Sequence, residues 1–238
     1  MNARTAAPQA PAAAPVPAAA APAPTLEEVR GLARTRGAAA ALTALARVTP
    51  AACAPGGYVL LPDDLAPPRG AVRVTSVATP EDPLTVWHVP RGVDASGPPA
   101  ATATGATGTD DLAWRTGVAW VRLGLAERLL GMATDRLRGR SVAGTATVDL
   151  PPVRLAVAEA VTAHVTARIL LSTPRATTLA TVTALLDGSG RTVLNLFGAS
   201  GYLDDTPGRL ACAAELLGHA SGTASPAHAH PVADERAS

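Results

Sequence analysis

The chain is poor in aromatic residues and cysteine, has no lysine, and contains no long uninterrupted hydrophobic run. Its 238 residues include three Trp, two Tyr and one Phe, and its formal net charge is +1. No basic run is interleaved with aromatic rings, so the sequence offers no surface for neutralising phosphates while stacking bases, and no nucleic-acid partner is expected. Cys53 and Cys212 are distant, single thiols, too few for a disulfide framework or a cysteine-based metal site. No stretch reaches the ~20 apolar residues of a spanning helix, so no membrane span is expected. The apolar start is interrupted by Pro8, Pro11, Pro15 and Pro17, which argues against a signal peptide. A soluble cytoplasmic protein is the expectation.

What the chain does have is strongly segmented. Residues 1–24 are dominated by Ala and Pro, a composition that favours an extended, solvated coil with little to bury. The stretch 219–238, with Ser225, Pro226, His228, His230 and Pro231, reads as a second loose end. Between them, 25–108 reads as a helix followed by short strands, and 109–218 as four helices. The expected fold class is mainly α: a C-terminal antiparallel four-helix bundle preceded by a small, incomplete β-containing region.

Thr25 followed by Leu26 and Glu28 has the form of a capping box, and Leu26, Val29, Leu32, Leu42 and Leu45 make one apolar stripe, with a break expected near Gly37. Tyr58–Leu61, Val72–Val77 and Leu84–Val89 are β-type runs separated by Pro and Gly. Ser96–Thr109 reads as a linker. Thr109 or Asp110 can cap a helix reaching about Arg138, apolar on two flanks through Val118, Val121, Leu125, Leu129 and Met132, and through Leu123, Leu130 and Leu137. Asp149 and the following Pro151 and Pro152 signal a second helix, on which Val153, Val157, Val161, Val165 and Ile169 form an i, i+4 ridge. β-Branched residues lower helix propensity, so packing of that ridge is expected to hold the helix. A third helix runs over about Arg175–Phe197, with Gly188 and Gly190 marking a weak or kinked point, and a fourth over about Thr206–Leu217.

Two segments carry a resemblance. Leu123–Gly144 (LGLAERLLGMATDRLRGRSVAG) and Leu194–Pro207 (LNLFGASGYLDDTP) resemble, in order and spacing, parts of the C-terminal four-helix domain of acyl-CoA dehydrogenases, flavoenzymes that desaturate acyl thioesters. Gly124, Leu125 and Arg140 match the long helix and its Arg-x-x-Phe-Gly turn, with Ala143 in place of Phe. The resemblance makes Arg140 the counterpart of an arginine that reaches the flavin pyrophosphate of a neighbouring subunit, a role suited to paired guanidinium donors. It makes Arg115 the counterpart of an arginine on the acyl-CoA side. A solvated helix-end arginine is the plainer reading of each. Asn195, Gly198 and Ala199 fall on the Gln-x-x-Gly-Gly-x-Gly-Tyr turn that approaches the flavin's adenosine diphosphate, although a Gly-rich helix C-cap accounts for the same residues. Ala220-Ser221-Gly222-Thr223 resembles the Tyr-Glu-Gly-Thr segment, and adds Thr223 to the implied cofactor set.

The same comparison removes the expected base. Ser221 stands where most of the family carries the catalytic Glu, and Trp114 where other members place it, so no catalytic residue is assigned. General-base catalysis contributes typically 10²–10⁴-fold. The residues preceding the bundle are also too few for the family's N-terminal domain and β-barrel. Two functions remain. One is an FAD-dependent oxidoreductase subunit acting on an acyl thioester, presented by coenzyme A or an acyl carrier protein, beside a full-length acyl-CoA dehydrogenase-type partner in a homo- or hetero-oligomer. The other is a non-catalytic bundle, for assembly or acyl binding, that has lost FAD and the base. His228-x-His230 lacks the further ligands of a metal site. His88 and His164 read as partly buried structural histidines, Asp204–Asp205 as charges at the start of the last helix. Ser200 misses the spacing of a nucleophile elbow.

Overall fold

A computed structural model describes residues 23–54, 56–90, 108–202 and 206–222. The Ala/Pro-rich start up to residue 22, most of the expected linker, Asp204–Asp205, Thr223 and the histidine-bearing tail lie outside the described residues. Helix α1 spans Leu26–Leu45; strands β1 (Tyr58–Pro62), β2 (Val72–Val77) and β3 (Leu84–His88) follow; helix α2 spans Gly108–Arg138. A two-residue hairpin, β4 (Ser141–Val142) with β5 (Thr145–Ala146), and a 3₁₀ turn, Thr147–Asp149, lead into α3 (Pro151–Ser172). Helix α4 (Ala176–Phe197), a 3₁₀ turn over Gly198–Tyr202 and α5 (Thr206–Ala220) complete the chain.

Helix α1 begins with the capping box the sequence announces: Glu28 N donates to Thr25 Oγ1 at 3.2 Å, and Thr25 N donates to Glu28 Oε2 at 2.6 Å. Its break is at Gly37, with φ 88° and ψ −176°, a conformation open to glycine. A side chain there would strike the carboxylate of Glu81, which lies over the kink and pairs with Arg128 of α2 at 2.5 Å. The strands form one antiparallel sheet in the order β1-β3-β2, with Tyr58 opposite His88 and Pro62 opposite Leu84. Strand β1 is buried along Val59–Pro62, whereas β2 is an exposed edge.

Helix α2 is apolar on two sides because two cores meet on it. Val118, Val121, Leu125 and Leu129 join Val29, Leu42 and Leu45 of α1, Leu60 and Leu61 of β1, and Leu210 and Leu217 of α5. On its other side, Trp120 and Leu123 join Ala167 and Leu171 of α3 and Leu179, Val182 and Leu186 of α4. Helix α1 approaches closely because α2 offers glycine: a methyl at Gly124 would lie 2.3 Å from the carbonyl oxygen of Arg30, and one at Gly117 would lie 2.2 Å from Leu45 Cδ1. Charges tie the same neighbours, with Arg30 pairing Glu127 at 2.6 Å and Glu27 at 2.8 Å, and Arg168 of α3 pairing Glu27 at 2.7 Å.

The contacts set the directions. Leu45 abuts Gly117 while Arg30 reaches Glu127, so α1 is antiparallel to α2. The hairpin turns α3 back along α2, and the short link Thr173–Arg175 turns α4 forward again. Arg115 meets Gly222 and Arg122 meets Ala214, which makes α5 antiparallel to α2. The C-termini of α2 and α4 therefore share one end of the bundle with the N-termini of α3 and α5.

Five expectations are corrected. Helix α2 starts at Gly108, which places Thr109 and Asp110 inside its first turn instead of at its cap. The α3 ridge is not the buried face: Ala160, His164, Ala167 and Leu171 are buried, Val153 and Val157 are half-buried, and Val161, Val165 and Ile169, together with Leu155, are exposed, Ile169 at 64%. The small residues permit close approach to α2 and α4, and that turns the β-branched row outward. The same helix is long and apolar enough to cross a membrane by length and composition, with mean hydropathy 1.3, because Ala and Val dominate it without forming one unbroken run. Helix α4 runs on through Gly188 and Gly190 as one helix, since no described neighbour comes within 4 Å of a methyl at either glycine to press the backbone aside, and α5 extends beyond Leu217 to Ala220.

Candidate functional site

The sequence-predicted residues divide between opposite ends of the bundle. At one end α2 finishes at Arg138 and the chain passes through Gly139 and Arg140 into the β4–β5 hairpin. Ala143 (φ 51°) and Gly144 (φ 85°) form its turn, both in the left-handed region that a tight two-residue hairpin requires. The carbonyl oxygen of Arg140 accepts from Thr147 N at 2.8 Å and from Thr147 Oγ1 at 3.1 Å, which fixes the backbone and leaves the guanidinium in solvent. At the same end α4 stops at Phe197 because Gly198 takes φ 64°. Gly198 and Ala199 are exposed, as is Asn195 one turn earlier, and a methyl at Gly198 would touch nothing within 4 Å among the described residues. Ser200 donates to the carbonyl oxygen of Phe197 at 2.9 Å and serves the turn. Arg140, Asn195, Gly198 and Ala199 thus share an end of the bundle that is open to solvent. An exposed guanidinium and an uncrowded glycine corner leave room for an anionic group approaching from outside.

The other end holds Trp114, Arg115 and Ser221, about 36 Å away along α2 at 1.5 Å per residue. Trp114 is 1% exposed and belongs to the core. Ser221 is 2% exposed, and its hydroxyl donates to the carbonyl oxygen of Gly218 at 3.1 Å, so it serves the C-terminal turn of α5. Arg115 reaches Asp111 Oδ2 at 3.4 Å and the carbonyl oxygen of Gly222 at 3.3 Å. Asp111 is a carboxylate the sequence reading did not single out. It lies on α2 one turn before Trp114, and its Oδ1 is buried without a partner.

A third feature lies between the ends and was missed altogether. Helices α2, α4 and α5 enclose a groove of about 320 Å³, and at its floor Arg122 is 3% exposed. Arg122 Nε donates to the carbonyl oxygen of Ala214 at 2.8 Å, and Nη2 to Asp187 Oδ1 at 2.5 Å. Nη1 is buried with no partner. Burial lowers the arginine's proton affinity, and the Asp187 carboxylate opposes that shift. The guanidinium fits under α5 because residue 218 is glycine: a methyl there would stand 2.8 to 3.0 Å from it. The signal was in the sequence, since Val118, Arg122, Leu125 and Leu129 lie on one helical stripe and a charge interrupts it.

His164 is likewise structural. Its Nε2 lies 3.1 Å from Ser189 Oγ, linking α3 to α4, and burial pushes its pKa down to about 4. The ring of His88 stacks obliquely on Tyr58, with centroids 4.6 Å apart. No three His, Cys, Asp or Glu side chains gather as metal ligands among the described residues.

The chain is similar to solved acyl-CoA dehydrogenases. A steroid ACAD, Tcur3481-Tcur3483, aligns over 70% of this chain and 51% of its own length, with 17% identity and a TM-score of 0.48. The acyl-CoA dehydrogenase of Geobacillus kaustophilus aligns over 70% of this chain and 53% of its own, with 13% identity and a TM-score of 0.47. FkbI, from biosynthesis of the methoxymalonyl extender unit of a polyketide immunosuppressant, aligns over 70% and 54%, with 16% identity and a TM-score of 0.45. The chain spans about half the length of each. No family model matches it, and no curated protein does.

Proposed function

We propose that this chain is a bundle subunit of an FAD-dependent oxidoreductase acting on an acyl thioester, completed by a full-length acyl-CoA dehydrogenase-type partner. The observation that carries the reading is the arrangement of one bundle end: an exposed Arg140 guanidinium and an open Gly198 corner, beside the start of a helix whose apolar face has no cover among the described residues. Leu155, Val161, Val165 and Ile169 are all exposed on α3. Exposed apolar surface on one helix supports a partner contact along α3. Arg140 would hold a flavin diphosphate through paired N–H donors, with Asn195 and Ala199 at the same end of the bundle. Bound flavin supplies the hydride acceptor for desaturation. The proton acceptor comes from the partner, since Ser221 and Trp114 are buried and committed to packing.

The test is co-expression with a full-length homologue. A yellow complex is expected, with Arg140→Ala bleaching it and Ile169→Lys dissociating it while the melting temperature of the free chain is unchanged. A colourless chain that stays monomeric beside such partners refutes the reading. The loss of both base positions favours a second reading, a non-catalytic assembly bundle. That reading predicts the same complex by size-exclusion chromatography, with no change in flavin absorption on Arg140→Ala.

A further inference from the structure

The α2/α4/α5 groove has the makings of a ligand site independent of the flavin reading. Its walls are aliphatic, through Leu125, Leu129, Leu186, Leu194 and Leu210, and its floor is the buried Arg122 guanidinium with one nitrogen unpartnered. A buried donor without a partner forfeits the desolvation cost of an N–H group, and an acceptor entering the groove recovers it. Gly190 lines the groove on α4, and a methyl there would meet nothing within 4 Å among the described residues, so the groove wall is open at that position.

The charges around the floor decide what kind of acceptor fits. Arg122 is already neutralised by Asp187, Glu215 also faces it, and Arg191 and His219 stand on the lining. A further carboxylate at the floor would be desolvated beside Asp187, whose charge already balances Arg122, and that costs more than burying an uncharged oxygen. We propose that this groove binds a small uncharged molecule in which a carbonyl caps an aliphatic chain, the oxygen accepting from Arg122 Nη1 and the chain lying along the leucines past Gly190. The volume of about 320 Å³ is at the small end of ligand pockets, which suits a single medium-length chain.

Octanamide is the probe, titrated into the full-length chain by calorimetry, with octanoate as the charged counterpart. Octanamide should bind, and octanoate at least tenfold more weakly. Gly190→Leu fills the groove and should weaken octanamide at least tenfold. Gly188→Leu, on the same helix but outside the lining, should leave binding unchanged, and both variants should melt no lower than the parent. The inference is overturned if octanamide does not bind, if octanoate binds as tightly, or if the two glycine variants behave alike.

Discussion

Removing Asp187 tests the energetics of the groove floor. Asp187→Ala leaves the Arg122 guanidinium, 3% exposed, with the Ala214 carbonyl as its one remaining acceptor. Breaking a fully buried pair by deleting one partner costs about 3–5 kcal/mol, because the remaining charge is left uncompensated. Asp187 is 24% exposed, so water reaches part of the site and the expected loss is discounted to about 2–3 kcal/mol. For a domain of this size each kcal/mol lowers Tm by about 2–4 °C, which gives a fall of about 4–12 °C by circular dichroism. Glu215→Ala is the control: that carboxylate makes a 3.9 Å contact with His219 and should cost under about 0.5 kcal/mol. The double variant Arg122→Met, Asp187→Leu removes both charges and should recover most of the loss, since apolar replacement of a buried pair is often neutral. If Asp187→Ala changes stability by less than about 0.5 kcal/mol, the guanidinium is solvated and the reasoning fails.

His164 titrates at about 4 in the folded chain, below its unfolded value, so the unfolded state binds the extra proton between the two. Stability from this group is complete above pH ~6.5 and declines as pH falls towards 4, by up to roughly 2–3 kcal/mol, and the difference in urea midpoints between parent and His164→Leu should narrow over that window. Ala143→Gly relieves a left-handed alanine at φ 51° and should raise stability by about 1 kcal/mol, read as a higher Tm. Gly124→Ala places a methyl 2.3 Å from the Arg30 carbonyl oxygen, and the resulting displacement of α1 should cost about 1–3 kcal/mol in chemical denaturation.

Much of the secondary structure was legible because its signals are local. The Thr25–Glu28 box, the breaking Gly37 and the three β-type runs depend on side chains a few residues apart. Helical periodicity located α2, and its two apolar flanks announced that it would be surrounded. The orientation of α3 was not local. Its Val153 to Ile169 row and its Ala160, His164, Ala167 and Leu171 row are both helical stripes, and closeness of approach to α2 and α4 selected the smaller one for burial. Gly124 shows the same limit: its match to a motif said nothing of the α1 backbone that it admits.

The sequence by itself determined where most of the helices begin, that positions 114 and 221 carry no carboxylate, and which arginine follows the end of α2. Only the tertiary structure decided that these features occupy opposite ends of the bundle, and that Arg122, Asp187 and Gly218, from three helices, close on one another. Periodicity assigns a residue to a face of its own helix, but which face meets which neighbour follows from side-chain volumes summed over several helices, and a charge at such a junction is buried only once the helices close.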